Sequence, residues 1–337
     1  MASIKTMNDH SPTAADRLIQ ETLIKMRKIV PKGCDVVFFD YAVFRNVGDL
    51  LITKGIEAFF EINGNRVLDC FCMQNHEAAL GRTFPADAVF VFQGGGNFGD
   101  LFPVHTQIRI KILLAHPDQR AVILPQTLYY QDKANLAADA QALSTLENLT
   151  ICMRDRISFE VAKTWFSNDL YLLPDTAHFL QDSFGIADPG NSTLNFLRVD
   201  QGSCSVTGLD ALPDDRSSLV DWPNFLTPFE VAGIRRFQQI HMLDSRYGHT
   251  RLPYVLWKPF RNKLLNRASK LFLNSGEIVT NRLHGLIFSI ICRRQTTIIE
   301  TGYGKVSAYY DTWLEEFDTV ALKDTDAHHK AMVVMKK

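Results

Sequence analysis

Residues 280–285 carry the two side chains best suited to chemistry, Arg282 and His284. The segment lies where an apolar strand pattern ends and a helical pattern begins, so free backbone N–H groups and the positive end of the helix dipole would collect there. A guanidinium can hold a phosphate or carboxylate at two points, and an imidazole can exchange a proton near neutral pH. The spacing leaves a second interpretation open, in which Arg282 pairs with a surface acid and His284 caps the helix.

Two further cations follow apolar strand patterns elsewhere in the chain. Arg154 comes directly after the apolar run 149–153, and Lys305 follows a strand pattern at 296–300. Because ligands of α/β sheets lie at the carboxyl ends of the strands, both side chains can line the same anion site. The alternatives are a solvated pair between Arg154 and Asp155, and a lysine that contacts only water.

Asp175 and His178 follow another apolar run, at 170–174. Both can point toward the same cleft. A carboxylate at such a position is also a good cap for the turn that follows it, and we favour that role for Asp175. The position of His178 assigns it no role.

Two glycine-containing loops follow strand patterns in the first half of the chain. Residues 93–100 follow the apolar run 88–92, and residues 46–49 follow the run 38–41. Glycine lets a ligand approach bare backbone, because it has no Cβ and tolerates positive φ. Residues 94–99 have the nominal spacing G-x-G-x-x-G, but neither the acidic residue of a dinucleotide site nor a phosphate-loop lysine follows. The two loops predict one ligand cleft, and we expect eight of their residues to bind the acceptor: Asn46, Gly48, Asp49, Gly94, Gly95, Gly96, Asn97 and Asp100.

The composition is that of an ordinary globular protein. The chain has 337 residues, of which 46% are hydrophobic and 22% charged, and a net charge of −1. This length predicts two domains, and the near-neutral balance gives no electrostatic case for nucleic acid as a partner. The six cysteines are scattered without zinc-site spacing. We therefore expect reduced thiols, no bound metal and a cytoplasmic protein.

Strand and helix patterns alternate along the first half, which is typical of a doubly wound parallel sheet. Short apolar runs rich in Val, Ile and Phe predict strands that are covered on both faces, and helical spacing predicts the helices between them. The predicted strands are 35–41, 67–73, 88–93, 121–125, 149–153 and 170–174. The predicted helices are 49–61, 105–116, 134–147 and 156–167.

A stretch rich in turn residues, 181–230, interrupts this pattern and places a domain boundary near 181–190. The last third is again α/β, with helices at 229–245, 260–274 and 283–292 and strands at 194–200, 277–281 and 296–300. We therefore predict an α/β protein with two Rossmann-like domains that face each other across a cleft. Residues 1–185 form the acceptor side and residues 186–337 the donor side. The C-terminal segment is expected to pack back on the first domain.

Residues 14–28 have a helical pattern of apolar and charged side chains without the apolar core of a signal peptide. We favour a helix that packs on the core over one that lies on a membrane surface. No run approaches the roughly 20 apolar residues needed to span a bilayer.

Taken in order, these motifs resemble the polysaccharide pyruvyl transferase family, in particular its members from bacterial exopolysaccharide biosynthesis. Each motif is short, but their shared order is fairly specific, and they cover most of the chain. The matching segments are residues 46–49, 94–100, 154–158, 175–177, 282–285, 303–305 and 311–313.

The resemblance implies a two-domain fold similar to GT-B glycosyltransferases. It also implies transfer of a pyruvyl group from phosphoenolpyruvate to a sugar, with formation of a cyclic ketal. Arg282, His284 and Gly285 then belong to the donor site, with Arg154 and Lys305 as further donor contacts. Phosphoenolpyruvate is a co-substrate in this scheme, and no cofactor is expected.

The residues fit that chemistry, because a donor with a phosphate and a carboxylate needs several cations and helix-end donors. We expect His284 to act as the general acid toward the methylene carbon of the donor. Asp49 or Asp100 would orient or deprotonate the sugar hydroxyls. Four aromatic side chains are candidates for stacking on sugar rings, although core packing is favoured for most of them: Trp222, Phe225, Tyr247 and Trp257.

Two other functions fit the same pattern. One is a GT-B glycosyltransferase that uses a nucleotide sugar, and the other is a non-catalytic sugar-binding protein of a polysaccharide locus. The sequence names neither the acceptor sugar nor its hydroxyl pair. A lipid-linked oligosaccharide as acceptor would bring the protein to the inner face of the membrane.

Overall fold

The computed structural model describes residues 12–198, 219–300 and 304–323, in which the chain forms an α/β fold with two parallel sheets. The strands of the first sheet are β1 (Asp35–Phe39), β2 (Arg66–Phe71), β3 (Val89–Phe92), β4 (Gly95–Gly99), β5 (Ala121–Tyr129), β6 (Leu149–Met153) and β7 (Asp169–Leu172). They run in the order β2-β1-β3-β5-β6-β7, and β4 pairs with β5. The helices around this sheet are α1 (Ala14–Ile29), α2 (Val47–Asn63), α3 (Pro103–Ala115), α4 (Lys133–Ser144) and α5 (Arg156–Trp165).

Both faces of the first sheet are buried, because successive side chains of a strand point to opposite faces. On one face Phe39 lies between Phe90 and Phe92, with ring centroids 4.8 Å away in each case, under α3, α4 and α5. On the other face Phe38 and Val91 belong to a cluster that includes apolar side chains of α1 and α2. The helix at the N-terminus therefore packs on the core, as its spacing predicted.

The second sheet consists of β8 (Thr193–Phe196), β9 (Leu219–Val220), β10 (Glu277–Thr280), β11 (Gln295–Ile299) and β12 (Val320–Lys323). Its order is β12-β11-β10-β8-β9, again with parallel pairs. The helices that accompany it are α6 (Trp222–Phe225), α7 (Pro228–Tyr247), α8 (Leu252–Leu273), α9 (Leu283–Ile291) and α10 (Lys305–Trp313).

The two sheets share one strand order. Numbered along the chain and with β4 set aside, the first sheet reads 2-1-3-4-5-6 and the second reads 2-1-3-4-5. This is the flavodoxin-type form of the doubly wound fold, in which ligands bind outside the carboxyl ends of the strands where the order reverses. The reversals lie between β1 and β3 in one sheet and between β8 and β10 in the other, so the loops after these strands are the expected ligand sites.

The predicted elements of the first sheet are confirmed except around the glycine loop. Residues 93–100 were expected to form a loop and the next strand was expected to end at 125, and both expectations were wrong. β5 continues through Pro125 to Tyr129, and β4 pairs with this extension. Proline cannot donate to a ladder and glycine has low strand propensity, so the local pattern gives no sign of either strand.

The second half departs further from the pattern. α8 begins at Leu252 rather than at 260, because Pro253 lies in its first turn, where proline is tolerated, and Pro259 is accommodated inside the helix. α10 and β12 were not predicted. β8 ends at Phe196, and residues 199–200 of the predicted strand lie outside the part of the chain that the structure describes.

No helix among the described residues is long and apolar enough to cross a membrane. The five cysteines in the described ranges are free thiols, and Cys204 lies outside those ranges. Burial raises the pKa of Cys72 to about 12, so this thiol is protonated at neutral pH.

Candidate active site

A cavity of about 410 Å³ is lined by loops from both sheets. The loop after β1 and the start of α2 line one side, and the loops after β10 and β11 line the other. The cavity therefore lies at the paired order reversals, where the topology predicts a ligand. Its chargeable side chains are three arginines, one lysine, two carboxylates and two imidazoles: Arg154, Arg198, Arg282, Lys305, Asp49, Glu300, His105 and His284.

His284 lies in the first turn of α9, and its ring packs against α2. A Cβ on Gly48 would lie only 2.5 Å from Nδ1 and 2.7 Å from Cβ of His284. On its other side, the imidazole Nε2 donates to Oδ2 of Asp175 over 3.4 Å. A carboxylate only accepts hydrogen bonds, so this contact places a hydrogen on Nε2. His284 is 11% exposed and faces the cavity.

Asp175 joins the imidazole to a buried guanidinium. Its Oδ2 also accepts from Nη1 of Arg154 at 2.9 Å, and its Oδ1 caps the turn by accepting from the N–H of Ala177. Burial by itself would raise the pKa of Asp175, but the hydrogen bond and charge of His284 and the charge of Arg154 hold it well below its usual range. The predicted cap is confirmed, and the same carboxylate orients both functional side chains.

His178 supports Asp175 through a tyrosine. The backbone N–H of Asp175 donates to the hydroxyl of Tyr309 at 2.9 Å, and this hydroxyl lies 2.9 Å from Nε2 of His178. Burial lowers the pKa of His178 to about 4, so the ring is neutral at pH 7 and Nε2 can accept from the hydroxyl. His178 is therefore a buried positioning residue, which the sequence did not indicate.

Arg154 and Lys305 converge on the glycine loop. Arg154 is 1% exposed and donates from Nε to the hydroxyl of Thr127 at 2.8 Å. A Cβ on Gly96 would lie 2.0 Å from Nζ of Lys305 and 2.9 Å from Nη2 of Arg154. A side chain at position 96 would therefore push these two cations away from the loop. Burial and the neighbouring charge of Arg154 lower the pKa of Lys305 to about 7.

Arg282 is the N-cap residue of α9 and forms an ion pair with Asp221, which is fully buried. Its Nη2 donates to Oδ2 of Asp221 at 2.5 Å, while the side chain stays 17% exposed and lines the cavity. The sequence left two interpretations of Arg282 open, an anion-binding residue and the partner of an acid, and the structure is compatible with both. The arginine pairs with an acid, and that buried acid holds it at the cavity wall.

Asp49 is the carboxylate of the first loop that lines the cavity. It lies in the first turn of α2, whose N-cap Asn46 accepts from the N–H of Gly48 at 3.0 Å. Burial raises the pKa of Asp49, and the charges of His284 and His105 offset this only in part. A carboxylate with a raised pKa beside a cleft is suited to accept a proton.

A buried network that the sequence analysis missed supports the glycine loop. Arg109 is 1% exposed and donates to Oδ2 of Asp40 at 2.5 Å and to Oδ1 of Asn97 at 2.7 Å. His105 donates from Nδ1 to Oδ1 of Asp40 at 2.8 Å and itself lines the cavity. Asp40 has φ of 63°, an unusual value for a residue with a side chain. The position of Asp40 at the end of β1 is the one signal that could have indicated this network.

The cavity does not include every residue predicted for it. Asp100 lies outside the described cavity wall, and its carboxylate accepts from the backbone N–H groups of Gln131 and Asp132 at 2.9–3.0 Å. These bonds join the end of β4 to the start of α4. Eight predicted residues line the wall: Asn46, Asp49, Gly96, Asn97, Arg154, Arg282, His284 and Lys305. Four predicted glycines do not line it: Gly48, Gly94, Gly95 and Gly285. Arg198, which was not predicted as a site residue, does line it.

The aromatic candidates for sugar stacking differ in whether they line the cavity. Trp222 lines the cavity, although it is 3% exposed and packs against Phe196. Trp257 is fully buried in the core, where its Nε1 donates to the carbonyl of Ala42. Tyr247 is 88% exposed at the C-terminal end of α7 and does not line the cavity. Of the predicted motif 303–305, residue 303 lies outside the described ranges.

The chain matches the polysaccharide pyruvyl transferase family over residues 46–303. It is 33% identical over 298 residues to the Bacillus subtilis protein named "Putative pyruvyl transferase EpsO", with 88% of this chain and 91% of that protein covered. It is 26% identical over 237 residues to "Pyruvyl transferase 1" of Schizosaccharomyces pombe, with 66% of this chain and 54% of that protein covered.

The chain therefore belongs to the polysaccharide pyruvyl transferase family, as the order of its motifs indicated. Among solved structures it is similar to a functionally uncharacterized protein from Klebsiella pneumoniae, with a TM-score of 0.59 and 14% identity, over 91% of this chain and 99% of the other. This likeness supports the α/β fold alone. Membership of the family makes the chain a pyruvyl transferase with a saccharide substrate.

Proposed function

We propose that the enzyme transfers a pyruvyl group from phosphoenolpyruvate to two hydroxyls of an exopolysaccharide sugar or of its lipid-linked precursor. The observation that carries this proposal is the set of four cations around His284 in one cavity: Arg154, Arg198, Arg282 and Lys305. A small donor with a phosphate and a carboxylate matches such a set, because each anionic group needs charged donors in a partly buried site. We propose a GT-B-like arrangement of the two lobes as the frame.

In the first step of the proposed reaction, the imidazolium of His284 keeps its Nε2 hydrogen bond to Asp175 and gives its Nδ1 proton to the methylene carbon of the donor. C2 then carries positive charge, and one sugar hydroxyl attacks it while Asp49 takes the hydroxyl proton. The C2–O bond to phosphate breaks next, and phosphate leaves with the electron pair of that bond. The second hydroxyl closes the ketal ring at C2, and its proton goes to the departing phosphate. The proton held by Asp49 returns to His284 through solvent, which resets the site. The sum is donor plus diol to ketal plus phosphate.

Asp175 supports this chemistry because its carboxylate accepts a hydrogen bond from Nε2 of His284. Its carboxylate bonds both Nε2 of His284 and Nη1 of Arg154, so it stabilises an imidazolium while it fixes a cation beside the donor. Of the two carboxylates considered as the base, we propose Asp49. Both oxygens of Asp100 accept hydrogen bonds from backbone N–H groups, so Asp100 is not available for this role. We propose that the reaction needs no cofactor or metal, so EDTA should leave the rate unchanged.

The decisive test is to incubate the protein with phosphoenolpyruvate and candidate saccharides, following phosphate release and the mass gain of the ketal. His284→Ala should abolish both signals while circular dichroism and the melting temperature stay near those of the parent chain. His76→Ala is the matched control, since His76 lies in the 3₁₀ segment His76–Ala79 outside the cavity wall. Full turnover by the His284 variant would remove the proposed acid.

A thermal-shift comparison separates the proposal from a nucleotide-sugar glycosyltransferase. Phosphoenolpyruvate should raise the melting temperature in proportion to the logarithm of its concentration, and UDP or GDP should not. A shift with a nucleoside diphosphate alone would favour the glycosyltransferase. No shift with either, together with saccharide binding, would favour a non-catalytic sugar-binding protein.

A further inference from the structure

The hairpin of α7 and α8 exposes apolar side chains around its tip. The two helices are antiparallel, since Phe237 packs on Trp257 and Gly233 lies against Phe260. Tyr247 is 88% exposed, Leu252 is 60% exposed, and four more apolar side chains nearby are about half exposed: Met242, Leu243, Val255 and Leu256. Six such residues within fifteen positions form the kind of apolar patch that usually marks an interaction surface.

The same hairpin is strongly basic. Residues 235–263 contain seven arginines and lysines and a single acid, Asp244, in a chain whose net charge is −1. The remainder of the chain is therefore acidic. Five of the seven cations are exposed: Arg235, Arg236, Arg246, Arg251 and Lys263. Arg235, Met242 and Arg246 recur at helical spacing, so basic and apolar side chains alternate along one exposed side of α7.

The hairpin also holds one wall of the cavity. Gln238 donates from Nε2 to the carbonyl of Val43 at 2.7 Å, and Trp257 donates from Nε1 to the carbonyl of Ala42 at 3.0 Å. The residues that follow, Phe44 and Asn46, line the cavity. The hairpin therefore joins its exposed tip to the loop that lines the cavity.

We propose that the tip of the α7–α8 hairpin docks on the surface of an anionic lipid bilayer. Its apolar side chains would enter the interface between headgroups and acyl chains, and its arginines would contact the anionic headgroups. A second copy of the chain fits the tip less well, because a two-fold contact would bring the same basic patch against itself. The inference uses none of the chemistry of the cavity, so it stands or falls independently of the proposed reaction.

Vesicle flotation with the full chain tests the proposal. The protein should float with vesicles of phosphatidylcholine mixed with phosphatidylglycerol, should not float with phosphatidylcholine alone, and should detach as salt is raised. Leu252→Ser combined with Leu256→Ser should lower the partition coefficient on the order of tenfold. Arg235→Gln combined with Arg246→Gln should lower it by about fivefold per arginine.

Matched substitutions elsewhere serve as controls. Ile24→Ser with Leu114→Ser removes apolar side chains of similar exposure, and Lys32→Gln with Lys133→Gln removes two exposed charges outside the hairpin. Each control should float like the parent chain, and every variant is checked by melting temperature. The proposal is overturned if the parent chain does not float, if hairpin and control variants float alike, or if the hairpin variants instead abolish a dimer seen by sedimentation velocity.

Discussion

The contact between Gly48 and His284 sets how closely α2 and α9 approach across the cavity. A methyl group at position 48 would meet not only the ring but also Cβ of His284, which cannot swing away without moving α9. We predict that Gly48→Ala displaces the imidazole from Asp175 and lowers kcat on the order of a hundredfold, with a smaller effect on donor affinity. Steady-state kinetics of phosphate release would measure the split.

Stability separates this effect from misfolding. Gly48 lies within a helix, where alanine is favoured over glycine by roughly 1 kcal/mol, so strain and propensity act in opposite directions. Gly81→Ala is the control, because a Cβ there meets nothing within 4 Å. A wild-type kcat in the Gly48 variant would contradict the prediction, because it would show that the imidazole of His284 can move without loss of activity.

Lys305 makes a second prediction at the residue level, on pH. Its pKa of about 7 is below the ordinary lysine value of 10.5, so the buried ammonium costs stability below pH 7. Between pH 7 and 10.5 the unfolded chain binds more protons than the folded chain, so the free energy of unfolding rises with pH across this window. A bound anion favours the charged form. Donor binding should therefore take up a proton, and affinity should fall by up to tenfold per pH unit above pH 7.

Calorimetric titration in buffers of different ionisation enthalpy would measure that proton uptake. Lys305→Met keeps the length of the side chain without a titratable group, so it should bind more weakly and show a flatter pH dependence. An unchanged slope in this variant would assign the titration to another group or to the donor itself.

At the level of elements, α10 connects the cavity to the buried support of Asp175. It begins at Lys305, carries Tyr309 toward Asp175, and ends at Trp313, whose Nε1 donates to the carbonyl of Arg154 at 2.7 Å. We predict that Tyr309→Phe lowers the free energy of unfolding by about 1–3 kcal/mol, because a buried backbone N–H and His178 both lose a partner.

The same variant should lower kcat on the order of tenfold, since Asp175 would hold His284 less firmly. Urea denaturation and steady-state kinetics would measure the two effects. Tyr310→Phe, at the next and half-buried position of α10, is the control and should change neither. Loss of stability without any change in kcat would limit Tyr309 to a structural role.

The elements that the sequence predicted are those with a clear apolar period. β3 is buried throughout, and β1 and β6 are buried at all positions but one. The residues after these strands lie at the carboxyl edge as expected, where Arg154 and Asp49 line the cavity. α10 was missed because its polar residues Lys305, Ser307 and Asp311 obscure its helical period. Local spacing also cannot reveal partners distant in the chain, such as Asp221 for Arg282, because folding alone brings them together.

At the scale of the whole molecule, one apolar cluster crosses from the first sheet to the second. It contains Phe38 and Val91 from one sheet and Phe196 and Ile278 from the other, and α9 contacts both α2 and the 3₁₀ segment Thr176–Leu180. Because the two lobes share this apolar core, we expect them to unfold together. The cavity depends on this shared core, because its cations come from loops of both sheets.

We predict a single cooperative unfolding transition in scanning calorimetry, with equal calorimetric and van't Hoff enthalpies. Leu286 is fully buried in α9, within the shared cluster, so Leu286→Ala should lower the free energy of unfolding by about 2–5 kcal/mol and shift the whole transition. Exposed Leu114→Ala is the control. Two separate endotherms, of which the Leu286 substitution shifts only one, would mean that the lobes unfold independently. In that case the two walls of the cavity would be held together only when the donor is bound.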